Sequence, residues 1–173
     1  MKPTASIPPP LVFLVGFMGS GKTTVGDALA TLIGWRFVDL DRVIEEREGR
    51  SIREIFETQG EPEFRRIEHE AIAACREMSE TIIAIGGGAF IAEANRALIG
   101  ALGVSVWLDC PLDVCLDRLG NDPTRPLLRG KEEMRDLLDR RRSSYALADL
   151  TIQTGNLPSE DVAVEISTRL FQM

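Results

Sequence analysis

Within LVFLVGFMGSGKTTVG, residues 11–26, the spacing Gly16-x-x-x-x-Gly21-Lys22-Thr23 sets a lysine and a hydroxyl directly after a glycine-rich turn. Glycines let backbone N–H groups curl around an anion, and the N-terminus of a following helix adds partial positive charge. This is the Walker A arrangement, in which the lysine reaches the β- and γ-phosphates of a nucleotide and the Thr23 hydroxyl ligates Mg²⁺. The candidate phosphate-binding residues are therefore Gly19, Ser20, Gly21, Lys22, Thr23 and Thr24. Lys22 is one of only three lysines, beside Lys2 and Lys131, so the match does not come from a lysine-rich chain.

Carboxylates and arginines supply a second layer. RFVDLD ends in Asp39 and Asp41. If both lie on the end of a strand, residues i and i+2 project to one side, at the sheet edge where open α/β folds bind ligands. Asp41 alternatively caps the helix that follows, and the two roles can coexist. Gly86, Gly87 and Gly88 follow an apolar run and permit close backbone approach to a ligand, although a flexible loop has the same composition. Arginine pairs bidentately with carboxylate and phosphate. Arg65, Arg118, Arg125, Arg129 and Arg141 are candidates on that basis, whereas Arg140 and Arg142 read as surface residues.

The elements that must position these groups follow from apolar patterning. Leu11–Val15 is apolar without alternation, as in a strand buried on both faces of a parallel sheet. Further strand signals recur at 36–39, 81–85, 104–108 and 150–153, separated by helical patterns, so the chain reads as repeated β-α units with a mostly parallel sheet. The connection between the second and third strands, about 41–78, is too long for a simple crossover. It contains SIREIF, where Ser51 and Glu54 form a capping-box pattern, then GEPEFRRIEHEAIAAC, where Pro62 suits a first turn. The segment 120–131, polar with two prolines and two arginines, is a candidate lid.

The 173 residues fit one domain, with a short extended leader over 1–10. A net charge of −7 argues against general nucleic-acid binding but not against an anionic substrate met by local arginines. Three cysteines and one histidine make no credible zinc set, and buried reduced thiols point to a cytoplasmic protein. No run of 18 apolar residues suggests a membrane span.

GFMGSGKT, FVDLD, GEPEFRRIE, GGGA, RPLL and RRRSSYALAD occur in an order and spacing that resemble the shikimate kinase family, across residues 11 to about 158. The resemblance implies a five-stranded parallel sheet of the nucleoside monophosphate kinase type with helices on both faces, a substrate-binding insertion and a closing lid. It implies transfer of the ATP γ-phosphoryl to the 3-hydroxyl of shikimate in aromatic amino-acid biosynthesis, with Mg²⁺ as cofactor; a closing single-domain kinase works well as a monomer. By the same resemblance Lys22 and Thr23 serve phosphate and Mg²⁺, and Asp39 holds the metal through water. Asp41 binds the substrate hydroxyls, Arg65 and Arg141 grip its carboxylate, and Gly86, Gly87 and Gly88 line the pocket. Arg125 comes from the lid onto the reacting phosphates, and Arg118 lies against adenine with the 154–158 loop on its other side. Lys22, Asp41 and Arg125 are thus the expected catalytic residues. The chain departs from the family in carrying Ala84 and Ile85 where Ser or Thr is frequent before the glycines.

Two other readings compete. A gluconate-type small-molecule kinase shares the phosphate loop but not the paired arginines suited to a compact carboxylate. A non-catalytic nucleotide-binding module is disfavoured because Lys22, Asp41 and the arginines are all present, and no Asn-Lys-x-Asp segment reads guanine.

Overall fold

The computed structural model describes residues 10–120 and 130–171. Strands β1 (Leu11–Val15), β2 (Arg36–Asp39), β3 (Thr81–Ala84), β4 (Val104–Asp109) and β5 (Leu150–Gln153) form one parallel sheet in the order β2-β3-β1-β4-β5. All five residues of β1 are buried because both faces of the sheet are covered. Leu11, Phe13 and Val15 belong to one apolar cluster, and Val12 and Leu14 to another. The first cluster is completed by helices α3 (Ile52–Ala74), α4 (Glu93–Leu102), α5 (Leu112–Gly120) and α6 (Lys131–Tyr145), together with Leu40 and Ile44 of α2 (Leu40–Glu48). The second is covered by α1 (Lys22–Ile33) and α7 (Ser159–Phe171).

Neighbouring strands β1 and β3 send their connections in opposite directions, β1 toward β2 and β3 across β1 toward β4. Such a reversal opens a crevice beyond the carboxyl ends of the strands. Here it brings the loop after β1, residues 16–21, beside the triglycine 86–88 after β3. Ile85 N donates to Leu14 O at 3.2 Å, carrying the pairing one residue past β3 and fixing the two loops relative to each other.

The long connection is helical, as its patterning predicts. Ser51 and Glu54 form the reciprocal capping box at the start of α3, and Gly60, at φ 81° and ψ 170°, breaks that helix into two. Pro62 then falls in the first turn of the second half, where its missing N–H costs no hydrogen bond. Strand β2 ends earlier than the two-aspartate reading requires. Asp39 is the last residue of β2 and also caps α2, accepting from Asp41 N at 3.1 Å, so Asp41 stands in the first helical turn. The strand spacing argument for the pair therefore fails, and Asp39 rather than Asp41 is the cap.

Most of the candidate lid, with Arg125 and Arg129, lies outside the described residues, as does nearly all of the leader. Gly120 ends α5 and Lys131 begins α6. Among the described residues, no helix is long and apolar enough to cross a membrane.

Candidate active site

A cleft of about 970 Å³ runs along the carboxyl edge of the sheet, from Thr154 and Leu157 past Lys22 to Asp41 and Gly87. Its floor is the loop after β1. Gly19 and Gly21 have φ values of 76° and 95°, backbone that other residues rarely adopt, and the loop delivers Lys22 as the first residue of α1. Lys22 Nζ donates to Gly16 O at 2.8 Å and Phe17 O at 3.0 Å, so the ammonium is held over the loop. Thr24 Oγ1 donates to Gly21 O at 3.1 Å, and the buried Ser20 hydroxyl has no hydrogen-bond partner among the described residues.

Thr23 Oγ1 lies 3.3 Å from Asp39 Oδ2 although the two residues come from different elements. A hydroxyl and a carboxylate together form a hard-oxygen set of the kind Mg²⁺ takes through one or two protein groups and several waters. Farther along, Arg118 links two loops, donating to Gly19 O at 3.2 Å and to Gly155 O at 3.3 Å. Arg118 therefore bonds directly to the 154–158 loop that the sequence reading sets on the far side of adenine.

Asp41, Gly86 and Gly87 line the inner end of the cleft, and the rest of the triglycine is packed against charged side chains. A Cβ at Gly86 would stand 3.1 Å from Asp41 Oδ1 and 3.3 Å from Glu68 Oε1; at Gly87, 3.2 Å from Arg141 Nη1; at Gly88, 2.4 Å from Arg65 Nη2. Two carboxylates and two guanidiniums thus close on three consecutive residues, and the missing side chains provide the room. Tyr145 reinforces the arrangement, its hydroxyl donating to Gly87 O at 2.5 Å from a fully buried ring.

Sequence reasoning missed Glu68. It is 1% exposed, and its Oε2 accepts from Arg65 Nη1 at 2.8 Å while Oε1 has no partner among the described residues. Burial pushes the Glu68 carboxyl above its ordinary range and nearby Asp41 adds to this, against the pull of Arg65 and Arg141. Burial also works against the Arg65 charge, but the pairs with Glu68 and Glu61 outweigh it and raise its pKa. Arg65 Nη2 lies 3.2 Å from Glu61 Oε1, and its guanidinium sits 5.3 Å from the Phe64 ring centroid. The signal for Glu68 was its i+3 spacing from Arg65 on a helix.

Arg142 is exposed, as expected, but it also makes contacts with the sheet. Its Nη1 donates to the buried Asp109 Oδ2 at 3.3 Å, and its guanidinium lies 5.6 Å from the Trp107 centroid. The long side chain folds back onto the sheet because both a carboxylate and an aromatic face are within its reach. Arg140 is exposed, as expected.

The family model for shikimate kinase matches residues 18–171. A shikimate kinase from Geobacter sulfurreducens is 48% identical over 160 residues, covering 91% of this chain and 88% of the relative. One from Moorella thermoacetica is 44% identical, covering 92% and 93%. Among solved structures, shikimate kinase from Acinetobacter baumannii in complex with shikimate superposes with a TM-score of 0.88 at 37% identity, covering 94% of this chain and 93% of that one. Agreement over this much sequence and backbone means that the chain belongs to the shikimate kinase family.

Proposed function

We propose that this protein transfers the γ-phosphoryl of Mg-ATP to the 3-hydroxyl of shikimate, giving shikimate 3-phosphate and ADP on the route to aromatic amino acids. The observation that carries the acceptor assignment is the triglycine, with Asp41 against Gly86, Arg141 against Gly87 and Arg65 against Gly88. A compact acceptor with one carboxylate and several hydroxyls matches that distribution of charge. Arg65 and Arg141 bind the carboxylate, Gly86, Gly87 and Gly88 line the ring, and Asp41 takes the hydroxyls. Glu68 holds the Arg65 fork through its bond at 2.8 Å.

Phosphoryl transfer depends on alignment and charge neutralisation more than on covalent participation by the protein. Gly19, Ser20, Gly21, Lys22, Thr23 and Thr24 cradle the phosphates, and Lys22 exchanges its carbonyl partners for phosphate oxygens. Thr23, with Asp39 through water, holds Mg²⁺, which when bound neutralises charge on the β- and γ-phosphates. Arg118 lies against the base. Arg125, beyond the described residues, adds positive charge from a lid at about 120–131, and the segment at about 41–78 forms the acceptor-binding subdomain. Asp41 acts first by positioning the attacking oxygen, because a loose transition state does not require early deprotonation. The enzyme works as a cytoplasmic monomer without nucleic acid; its acidic balance of −7 supports the last point.

Coupled ADP release from Mg-ATP, with shikimate, gluconate and nucleoside monophosphates offered in parallel, tests the assignment. Turnover with shikimate alone is expected. Turnover with another acceptor instead would overturn the carboxylate pocket while leaving the phosphate site intact.

A further inference from the structure

Arg142 stands on α6, and its partners Trp107 and Asp109 belong to β4. Asp109, at the end of β4, accepts on Oδ2 from Arg142 Nη1 at 3.3 Å and from Gln153 Nε2 at 2.8 Å. The Asp109 side chain is 11% exposed against 47% for Arg142, so the pair is anchored at the sheet by Asp109 while Arg142 stays half-exposed. The Trp107 ring, 5.6 Å from the Arg142 guanidinium carbon, also lies 5.9 Å from the Tyr145 ring centroid. Arg142 and Tyr145 are spaced i, i+3 and share one face of α6. Together they clasp Trp107.

Arg141 is one residue earlier and about 100° around the same helix, directed at Gly87. The rotation of α6 that seats Arg142 on Asp109 therefore also sets where Arg141 points. Tyr145 reports the same register from the next turn through its bond to Gly87 O.

We infer that Arg142 is a positioning residue for the acceptor site: by clamping α6 to Asp109 and Trp107 it fixes the helix rotation that presents Arg141 to Gly87. The inference rests on the proposed carboxylate role of Arg141. A through-space effect of the Arg142 charge on an anionic acceptor makes a different prediction for Asp109. Removing that negative charge would then strengthen acceptor binding, whereas loss of the clamp weakens it.

The test is steady-state kinetics with shikimate and ATP varied separately for Arg142→Ala, Arg142→Lys, Asp109→Asn and the Arg142→Ala/Asp109→Asn pair. A half-exposed ion pair with a cation–π contact leads us to expect a rise in shikimate KM of about three- to tenfold for Arg142→Ala. The kcat and the KM for ATP should stay within about twofold, since neither the phosphate loop nor Asp41 is touched. Arg142→Lys still reaches Asp109 and should recover part of the loss. Asp109→Asn should also raise shikimate KM, and the double variant should be no worse than the poorer single one, as for two partners in one contact. An unchanged shikimate KM in Arg142→Ala, or a lowered one in Asp109→Asn, would overturn the inference. Absence of shikimate turnover by the unsubstituted enzyme would instead remove the reading beneath it.

Discussion

An alanine at Gly88 probes the pocket without removing a charged group. The backbone there, at φ −94°, suits any residue, but the new Cβ would meet Arg65 Nη2 at 2.4 Å. The clash falls on the tip of a flexible side chain, so Gly88→Ala should fold normally and displace the guanidinium. We expect shikimate KM to rise about 10- to 100-fold, the range of a lost hydrogen bond to a charged group, as in Arg65→Ala; normal KM in both would remove Arg65 from the carboxylate site. Asp41→Asn should cut kcat about a hundredfold or more through misalignment of the acceptor while ATP binding survives, readable by calorimetry. Glu68 gives a pH signature. Its pKa is raised in the folded state, chiefly by burial, so its contribution to stability is present below the ordinary glutamate range and is lost as pH rises through the folded value. Stability of the unsubstituted chain relative to Glu68→Gln should therefore fall as pH rises above the ordinary glutamate range in paired thermal melts. A flat difference would contradict the burial argument. Lys22, Thr23, Arg65 and Arg141 were legible because motif spacing names them; Glu68 was not, because a buried carboxylate looks in sequence like any solvated i, i+3 partner.

The helices α3 and α6 decide whether those side chains converge. Apolar spacing located the second half of α3, and the Ser51–Glu54 capping box and Pro62 marked the starts of its two halves, because caps act locally. The exit from β2 was misread for the opposite reason. Two aspartates two residues apart fit a strand as well as a cap followed by a first turn, and the burial of Leu40, the first residue of α2, in the core selects the second. Arg142 is exposed as expected, but its contacts with Trp107 and Asp109, 35 and 33 positions away, were not legible because they depend on packing between elements. Close packing between elements is testable at Gly103, where α4 gives way to β4. A Cβ there would lie 2.2 Å from Leu11 O, a backbone atom that cannot swing aside. Gly103→Ala should therefore cost about 1–3 kcal/mol and lower Tm by several degrees. An unchanged melting curve would show that the β1 and β4 junction can relax.

Taken as one body, the protein places the glycine-rich loop after β1 and the triglycine after β3 on adjacent strands of a sheet whose connections diverge between them. Alternating β-α patterning made the parallel sheet legible, but the order β2-β3-β1-β4-β5, which sets the two loops side by side, is a property of packing. The most direct measurement compares shikimate with its methyl ester as acceptors for the unsubstituted enzyme, Arg65→Ala and Arg141→Ala. The account predicts that the unsubstituted enzyme strongly prefers the free acid in kcat/KM, and that each arginine variant loses most of that preference by losing the acid rather than gaining the ester. Equal use of acid and ester by the unsubstituted enzyme, or an undiminished preference in both variants, would contradict it.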